Sequence, residues 1–171
     1  MNDIKSIHLK EGLFHYFRFK RGWMCADEVQ SGRFIADVLV DTGEFTMEVE
    51  VKVTKNDLIG GEARKMTGWN GKGKNKHDEW SVGRTNKFAL CVPEFLVEEA
   101  VKWIAGKNPK YGLYVYSNKY FVQDTIFTKK IARKLHNEYG KIDFTKKIAR
   151  RLSSCRAFEL SDINNRSNSA K

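Results

Sequence analysis

Apolar and polar residues alternate with a period of two over three consecutive stretches in the first third of the 171-residue chain. These stretches cover residues 25–29, 33–40 and 45–53, and the segments between them, 30–32 (QSG) and 41–44 (DTGE), are rich in turn-forming residues. Alternation places every second side chain on the same face of a strand. The pattern therefore predicts an antiparallel meander of three strands.

Helical spacing surrounds this meander. Residues 6–21 precede it, with apolar side chains near one face and Gly22 available to end the helix. Residues 93–105 (PEFLVEEAVKWIA) begin with proline at a favoured first-turn position and stop before glycine. Residues 56–66 predict a short or interrupted helix.

The remaining apolar runs, 86–92, 111–116 and 120–122, predict further strands, and residues 67–83 form a Gly- and Lys-rich surface loop. The predicted order is α-β-β-β-α-β-α-β. Antiparallel strands followed by βαβ units indicate a mixed α/β (α+β) fold with a central mixed sheet flanked by helices.

The C-terminal segment contains an internal repeat. FTKKIARKL at residues 127–135 recurs as FTKKIARRL at 144–152. Each copy has apolar residues at i, i+4 and i+8, which predicts two basic amphipathic helices. The expected organisation is a core at residues 1–126, a basic helical appendage at 127–160 and a disordered tail at 161–171.

The net charge of +10 is concentrated in this segment. Residues 127–171 hold 12 Lys or Arg against 4 Asp or Glu, a net +8, whereas residues 1–126 hold 19 against 17, a net +2. This asymmetry favours a polyanionic partner, with a solvated basic face as the alternative. Three dispersed cysteines, no signal-peptide pattern and no apolar run of about 20 residues lead us to expect a cytoplasmic protein with no membrane partner. The oligomeric state stays open, with a homodimer as one alternative.

Charged residues collect on one face of the predicted hairpin. The stretch EVEVK puts Glu48, Glu50 and Lys52 on the face opposite its valines. A tight two-residue turn at 42–43 would place Asp37 opposite Glu48 and diagonal to Glu50. Three carboxylates would then converge beside one ammonium group.

Carboxylates opposed across a sheet repel each other, and a divalent cation removes that repulsion. Mg²⁺ takes a few carboxylates and keeps its other positions for water and phosphate oxygens. A nearby lysine can hold the attacking water or stabilise charge on the phosphoryl group. The competing interpretation is an ordinary solvated strand face.

The chain at residues 5–138 resembles the PD-(D/E)XK nuclease superfamily, in particular its small MmcB-like DNA-repair and phage-type endonucleases. The similarity lies in an initial helix, a meander and the following short motifs: Ile35-Ala36-Asp37-Val38-Leu39, Glu50-Val51-Lys52, Asp57-Leu58, Lys76-His77 with Trp80, the run at 86–93, Tyr111-Gly112-Leu113-Tyr114-Val115 and the basic run at 129–138. The proline that precedes the aspartate in the superfamily is Ala36 here.

The resemblance implies a restriction-endonuclease-like core that hydrolyses DNA with Mg²⁺, for which Mn²⁺ can substitute. Asp37 and Glu50 would be catalytic metal ligands, assisted by the Val51 carbonyl, and Lys52 would be the catalytic lysine. Related nucleases also present an acid from the first helix, which makes Glu11 a further candidate beside a structural role. Glu48 is either another ligand or part of a solvated strand.

Basic and aromatic residues of the loop and of the repeat are candidates for nucleic-acid binding. They are Lys65, Lys76, His77, Trp80, Lys129, Lys130, Arg133, Lys134, Lys146, Lys147, Arg150 and Arg151. The alternatives are a packed loop with surface lysines and a helical hairpin packed on the sheet.

The leading hypothesis is a Mg²⁺-dependent DNA endonuclease in repair, recombination or phage DNA processing. A non-catalytic nucleic-acid-binding protein that keeps the fold is the main alternative. A structural or protein-binding module is a third possibility, in which the basic repeat serves solubility.

Overall fold

A computed structural model describes residues 4–31, 34–61, 85–119, 125–137 and 143–169. Its centre is a six-stranded sheet with the strands in chain order. The strands are β1 (Met24–Ser31), β2 (Phe34–Asp41), β3 (Thr46–Val51), β4 (Lys87–Pro93), β5 (Gly112–Tyr116) and β6 (Ile126–Lys130). The helices are α1 (Ser6–Phe14), which continues through a wide π-type segment (His15–Lys20), α2 (Val97–Lys107) and α3 (Phe144–Ser169).

The strand directions make the sheet mixed. β1, β2 and β3 form the antiparallel meander, β3, β4 and β5 run parallel, and β6 pairs antiparallel with β5. Helix α2 provides the crossover between β4 and β5, as the βαβ pattern predicts. The mixed α/β class with a mixed sheet and flanking helices is therefore confirmed.

Helices cover both faces of the sheet. Helix α1 buries Leu9, Leu13 and, in its π-type continuation, Phe17, against side chains such as Val38 and Val49. A spacing of four residues puts these three side chains on one stripe. On the other face, α2 packs over β4 and β5, and α3 packs over β1 and β2.

The hairpin between β2 and β3 has a different register from the predicted one. Asp41 pairs with Thr46, and Leu39 pairs with Glu48, so the connection is four residues long rather than two. Side chains stabilise this longer turn: the Thr42 hydroxyl oxygen accepts the Phe45 N–H at 3.1 Å, and Gly43 adopts a φ of 86°. The shift of two residues keeps the β3 side chains, Val38 and Val40 on their predicted faces, whereas Ala36 packs with Leu39 on the opposite face, so the alternation of β2 is interrupted near Asp37.

The new register changes the partner of Asp37. The β2–β3 ladder ends at Val38–Val49, and Leu39 rather than Asp37 lies opposite Glu48. Asp37 instead lies near Glu50, whose charge acts on it. The predicted Asp37–Glu48 pairing is therefore wrong.

The first copy of the repeat is not a helix. Phe127 pairs with Val115 and Thr128 with Tyr114 in β6, and the next residues lie against β5. Pairing with the edge of β5 overrides the helical period, because an isolated helix this short is only marginally stable in water. As a strand, the segment forms backbone hydrogen bonds with β5 instead. β6 (Ile126–Lys130) crosses the boundary predicted after residue 126, so the sheet extends into the predicted appendage.

The second copy is helical, as predicted. Phe144 and Ile148 of α3 are buried against β1 and β2 residues, among them Ala26 and Leu39. Helix α3 continues to Ser169 and therefore runs through most of the tail predicted to be disordered (161–171). None of the helices in the described ranges is long and apolar enough to cross a membrane.

Three other predicted elements lie partly or wholly outside the described residues. The expected helix at residues 56–66 is a single wide turn at Asp57–Gly61, and residues 62–66 lie outside the described ranges. The predicted strand at 120–122 and the predicted loop at 67–83 also lie outside them.

Candidate active site

Asp37, Glu50 and Lys52 lie close together near one end of two inner strands. β2 and β3 are antiparallel, so the start of β2 and the end of β3 lie at the same end of the sheet. The backbone N–H of Val51 donates to Asp37 Oδ2 at 2.8 Å. The N–H of Lys52 donates to the Cys91 carbonyl at 3.0 Å, which extends the parallel ladder by one step beyond β3. Backbone geometry on two strands therefore fixes the positions of all three side chains.

Lys52 lies between two carboxylates. Its Nζ is 3.6 Å from Glu50 Oε2 and 3.5 Å from Asp57 Oδ1. Glu50 is 2% exposed and Lys52 is 4% exposed, so these charges are almost fully withdrawn from water. Charges in such a site are tolerated because they compensate one another.

The Asp37 carboxyl shows the effect of crowding. Burial raises its pKa, and repulsion from Glu50 raises it further. The Val51 N–H, Lys10 and Lys52 act in the opposite direction without cancelling the increase. The repulsion from Glu50 shows that the two carboxylates are neighbours, and a bound cation would relieve that repulsion.

Lys10 of α1 is a member of this site that the sequence pattern did not reveal. Its Nζ is 3.7 Å from Asp37 Oδ1 and forms a shorter ion pair with Glu28. Burial works against the Lys10 charge, but the contacts with Glu28 and Asp37 raise the pKa of Lys10 overall. A lysine beside the buried Leu9 of an amphipathic helix carries no distinctive sequence signal.

Glu28 marks a local irregularity opposite Asp37. It has a φ of 53°, and the β1–β2 pairing passes from Asp27↔Val38 to Val29↔Ala36 without it. Such irregularities redirect side chains and are frequent beside functional sites. Here the irregularity lets Glu28 and Asp37 share one ammonium group, that of Lys10.

The two additional acids have different surroundings. Glu48 is completely buried in β3, next to Leu39 on β2 and Phe88 on β4 in the ladders. The solvated interpretation of Glu48 is therefore excluded.

Glu11 is exposed. The pKa of Tyr116 on β5 is raised mainly by burial, and the charge of Glu11 raises it further. Lys10, and not Glu11, is the α1 residue that contacts Asp37.

The donor set fits a Mg²⁺ ion that is held mostly by water and substrate. Among the described residues, no group of three or more His, Cys, Asp or Glu side chains forms a complete metal cage. Mg²⁺ usually binds only one or two protein carboxylates and fills its octahedron with water and phosphate oxygens. Asp37 and Glu50 supply that number, while the roles of the Val51 carbonyl, Glu11 and Glu48 stay predictions.

The predicted nucleic-acid-binding residues fall into three groups. Lys65, Lys76, His77 and Trp80 lie outside the described residues. The exposed group contains Lys129, Arg133, Lys134, Lys146 and Arg150. The third group contacts backbone carbonyls: Lys130 Nζ donates to the Tyr111 oxygen at 2.9 Å, Lys147 Nζ to Gln30 at 3.1 Å and Arg151 Nε to Asp27 at 3.2 Å. This third group has a structural role irrespective of any ligand.

No protein-family model, curated protein or solved structure significantly matches this chain. The PD-(D/E)XK assignment therefore stays a prediction from the short sequence motifs.

Proposed function

We propose that this protein is a metal-dependent phosphodiesterase that cleaves DNA, with a restriction-endonuclease-like arrangement of its core. The observation that carries the proposal is the adjacency of Asp37 and Glu50 with the Lys52 ammonium 3.6 Å from Glu50. Two crowded carboxylates with one lysine are the chemical groups that metal-assisted hydrolysis requires.

Each residue has a separate task in this proposal. Asp37 and Glu50 would hold Mg²⁺, which when bound polarises the phosphate and makes water more acidic. Lys52, held between Glu50 and Asp57, presents a donor at the position where negative charge develops. The Val51 N–H orients the Asp37 carboxylate through its 2.8 Å hydrogen bond.

DNA as the substrate follows from the PD-(D/E)XK resemblance and is compatible with the basic charge of the chain. The exposed cations on α3 and on the segment after β6 suit phosphate contacts, which are independent of sequence and weaken with salt. A role in repair, recombination or phage DNA processing is part of the same proposal.

The test is cleavage of single-stranded, duplex and branched DNA with Mg²⁺ or Mn²⁺ and with a chelator. We expect metal-dependent nicking by the wild type, and a loss of about 100-fold or more in Glu50→Gln and in Lys52→Met. Lys55→Met is the matched control, because Lys55 is nearby in sequence but exposed and paired with Glu99. An inactive wild type, or Lys52→Met variants as active as Lys55→Met, would refute the proposal.

A non-catalytic nucleic-acid-binding protein is the second candidate, and Lys10 favours it. An ammonium group 3.7 Å from Asp37 already supplies positive charge to the site. This ion pair partly compensates the negative charge of Asp37, which reduces the electrostatic gain from binding a metal there. The candidate predicts salt-sensitive DNA binding that a chelator does not change.

A further inference from the structure

A small cavity lies on the face of the sheet that α1 covers, near the N-terminal ends of β3 and β4. Its volume is about 180 Å³. At about 30 Å³ per water molecule in the liquid, this is the space of about six waters. The cavity can therefore take one planar ring system but not a large ligand.

Aromatic rings form much of the cavity wall. Trp23 and Phe45 meet edge to face with their centroids 5.6 Å apart, and Tyr16 meets Tyr114 at 5.7 Å. The Tyr16 hydroxyl is 2.8 Å from Thr128 Oγ1, which ties this wall to β6. Trp23, Tyr16 and Phe45 are only partly buried, and all three line the cavity.

Two cations complete the lining, which contains no carboxylate from the part of the chain that the structure describes. The Arg21 guanidinium lies 4.8 Å from the Trp23 ring centre, and Lys87 Nζ lies 3.5 Å from the Phe45 ring centre. Burial and the nearby charge of Lys134 lower the pKa of Lys87. A cavity with this surplus of positive charge selects an anion and disfavours a cationic ligand.

Rings that can stack and cations that can hold a phosphate are the two components of sites for unpaired nucleotides. We propose that this cavity binds one nucleotide, with the base among Trp23, Phe45 and Tyr16 and the phosphate at Arg21 and Lys87. The nucleotide can be a free monophosphate or a unit of a single strand, since both present the same base and phosphate.

The cavity is separate from the site at the end of β3. Met47, at its floor, lies on the opposite face of β3 from Glu50 and three positions earlier in the strand. Nucleotide binding here does not require Asp37, Glu50 or Lys52 to be catalytic. The two proposals can consequently fail independently.

Binding is best followed at the Trp23 indole N–H by two-dimensional NMR in the presence of a chelator, which prevents any metal-dependent cleavage. The Trp23 signal is identified by its loss in Trp23→Phe. We expect thymidine monophosphate to shift this signal saturably, while inorganic phosphate or thymidine alone needs concentrations at least about fivefold higher.

Arg21→Gln and Lys87→Gln remove the cations without changing the rings, and each should weaken nucleotide binding by about fivefold or more. Lys107→Gln, at the exposed end of α2, is the matched loss of charge and should have no effect. Thermal unfolding verifies that the variants are folded.

Short oligo(dT) and the same oligomer without bases distinguish the two sources of the nucleotide. Tight binding of thymidine monophosphate identifies a free-nucleotide site, whereas tighter binding of oligo(dT) than of the abasic strand identifies a strand-binding site. An unchanged Trp23 signal with both ligands, or Arg21→Gln and Lys87→Gln variants that bind as well as Lys107→Gln, would overturn the proposal.

Discussion

Asp37 is the residue whose surroundings determine the proposed chemistry. It accepts a hydrogen bond from Val51, lies near the Lys10 ammonium and is crowded by Glu50. Alternation along the strands predicted that Asp37 and Glu50 approach each other, but not the interruption beside Asp37, where Ala36 packs on the opposite face from Val38. The position of Lys10 could not be predicted, because it depends on how α1 docks against the sheet.

The raised pKa of Asp37 makes stability depend on pH. Between the ordinary pKa of about 3.9 and the higher value in the folded protein, the folded state keeps a proton that the unfolded state has lost. The contribution of Asp37 to the free energy of unfolding therefore falls as the pH rises through that window. An asparagine at position 37 does not titrate, so it adds no pH dependence to stability, and its side-chain oxygen can still accept the Val51 hydrogen bond.

We expect Asp37→Asn to melt at a higher temperature than the wild type at neutral pH without metal, and the difference to disappear towards about pH 3. Calorimetric melting across the pH range measures this effect. A variant that is less stable than the wild type at neutral pH would show that the attraction of Lys10 outweighs the crowding by Glu50.

The Glu50–Lys52 ion pair leads to a second prediction for individual residues. Removing the charge of Lys52 leaves Glu50 buried at 2% exposure beside one fewer cation. Lys52→Met should cost about 3 kcal/mol of unfolding free energy, and adding Glu50→Gln should restore a substantial part of it. Urea denaturation of both single variants and the double variant gives the coupling energy. Independent, additive losses would mean that the two side chains do not interact.

Among the elements, the repeat is the clearest case where sequence reasoning reached its limit. Its two copies are nearly identical, yet the first adds β6 to the sheet and the second begins α3. Local periodicity predicted α3, whereas β6 depends on the free edge of β5, a property of the assembled sheet. The hairpin is similar: its faces follow from alternation, but its register depends on the side-chain hydrogen bonds of its turn.

Close packing of β5 against the segment after β6 supplies a test of this arrangement. A Cβ added at Gly112 would lie 2.8 Å from the Ala132 Cβ and 2.9 Å from the Ala132 backbone nitrogen. Gly112→Ala should therefore lose about 1–3 kcal/mol of stability.

Gly106 is the matched control for that substitution. An added Cβ meets nothing within 4 Å there, and the position lies within α2. Gly106→Ala should gain about 0.5–1 kcal/mol. Equal effects of the two alanine substitutions on thermal unfolding would contradict the packing of residue 132 against β5.

At the scale of the whole molecule, the two faces of the sheet have different roles in this account. One face carries the buried charges of β3 between α2 and α3, and the other carries α1 and the aromatic cavity. The fold class was predictable because helices and strands have distinct periods. The assembly of each site was not, since each combines residues from elements far apart in the chain.

The central claim is that Asp37 and Glu50 bind a divalent cation, and its most direct test needs no knowledge of the DNA substrate. The measurement is calorimetric titration of the protein with Mn²⁺ at about pH 8, where competition from protons for carboxylate ligands is low. We expect one saturable site in the wild type and in Glu98→Gln, which removes an exposed carboxylate of α2, and its loss in Asp37→Asn and Glu50→Gln. An absent site in the wild type, or unchanged Mn²⁺ binding in Asp37→Asn, would contradict the account.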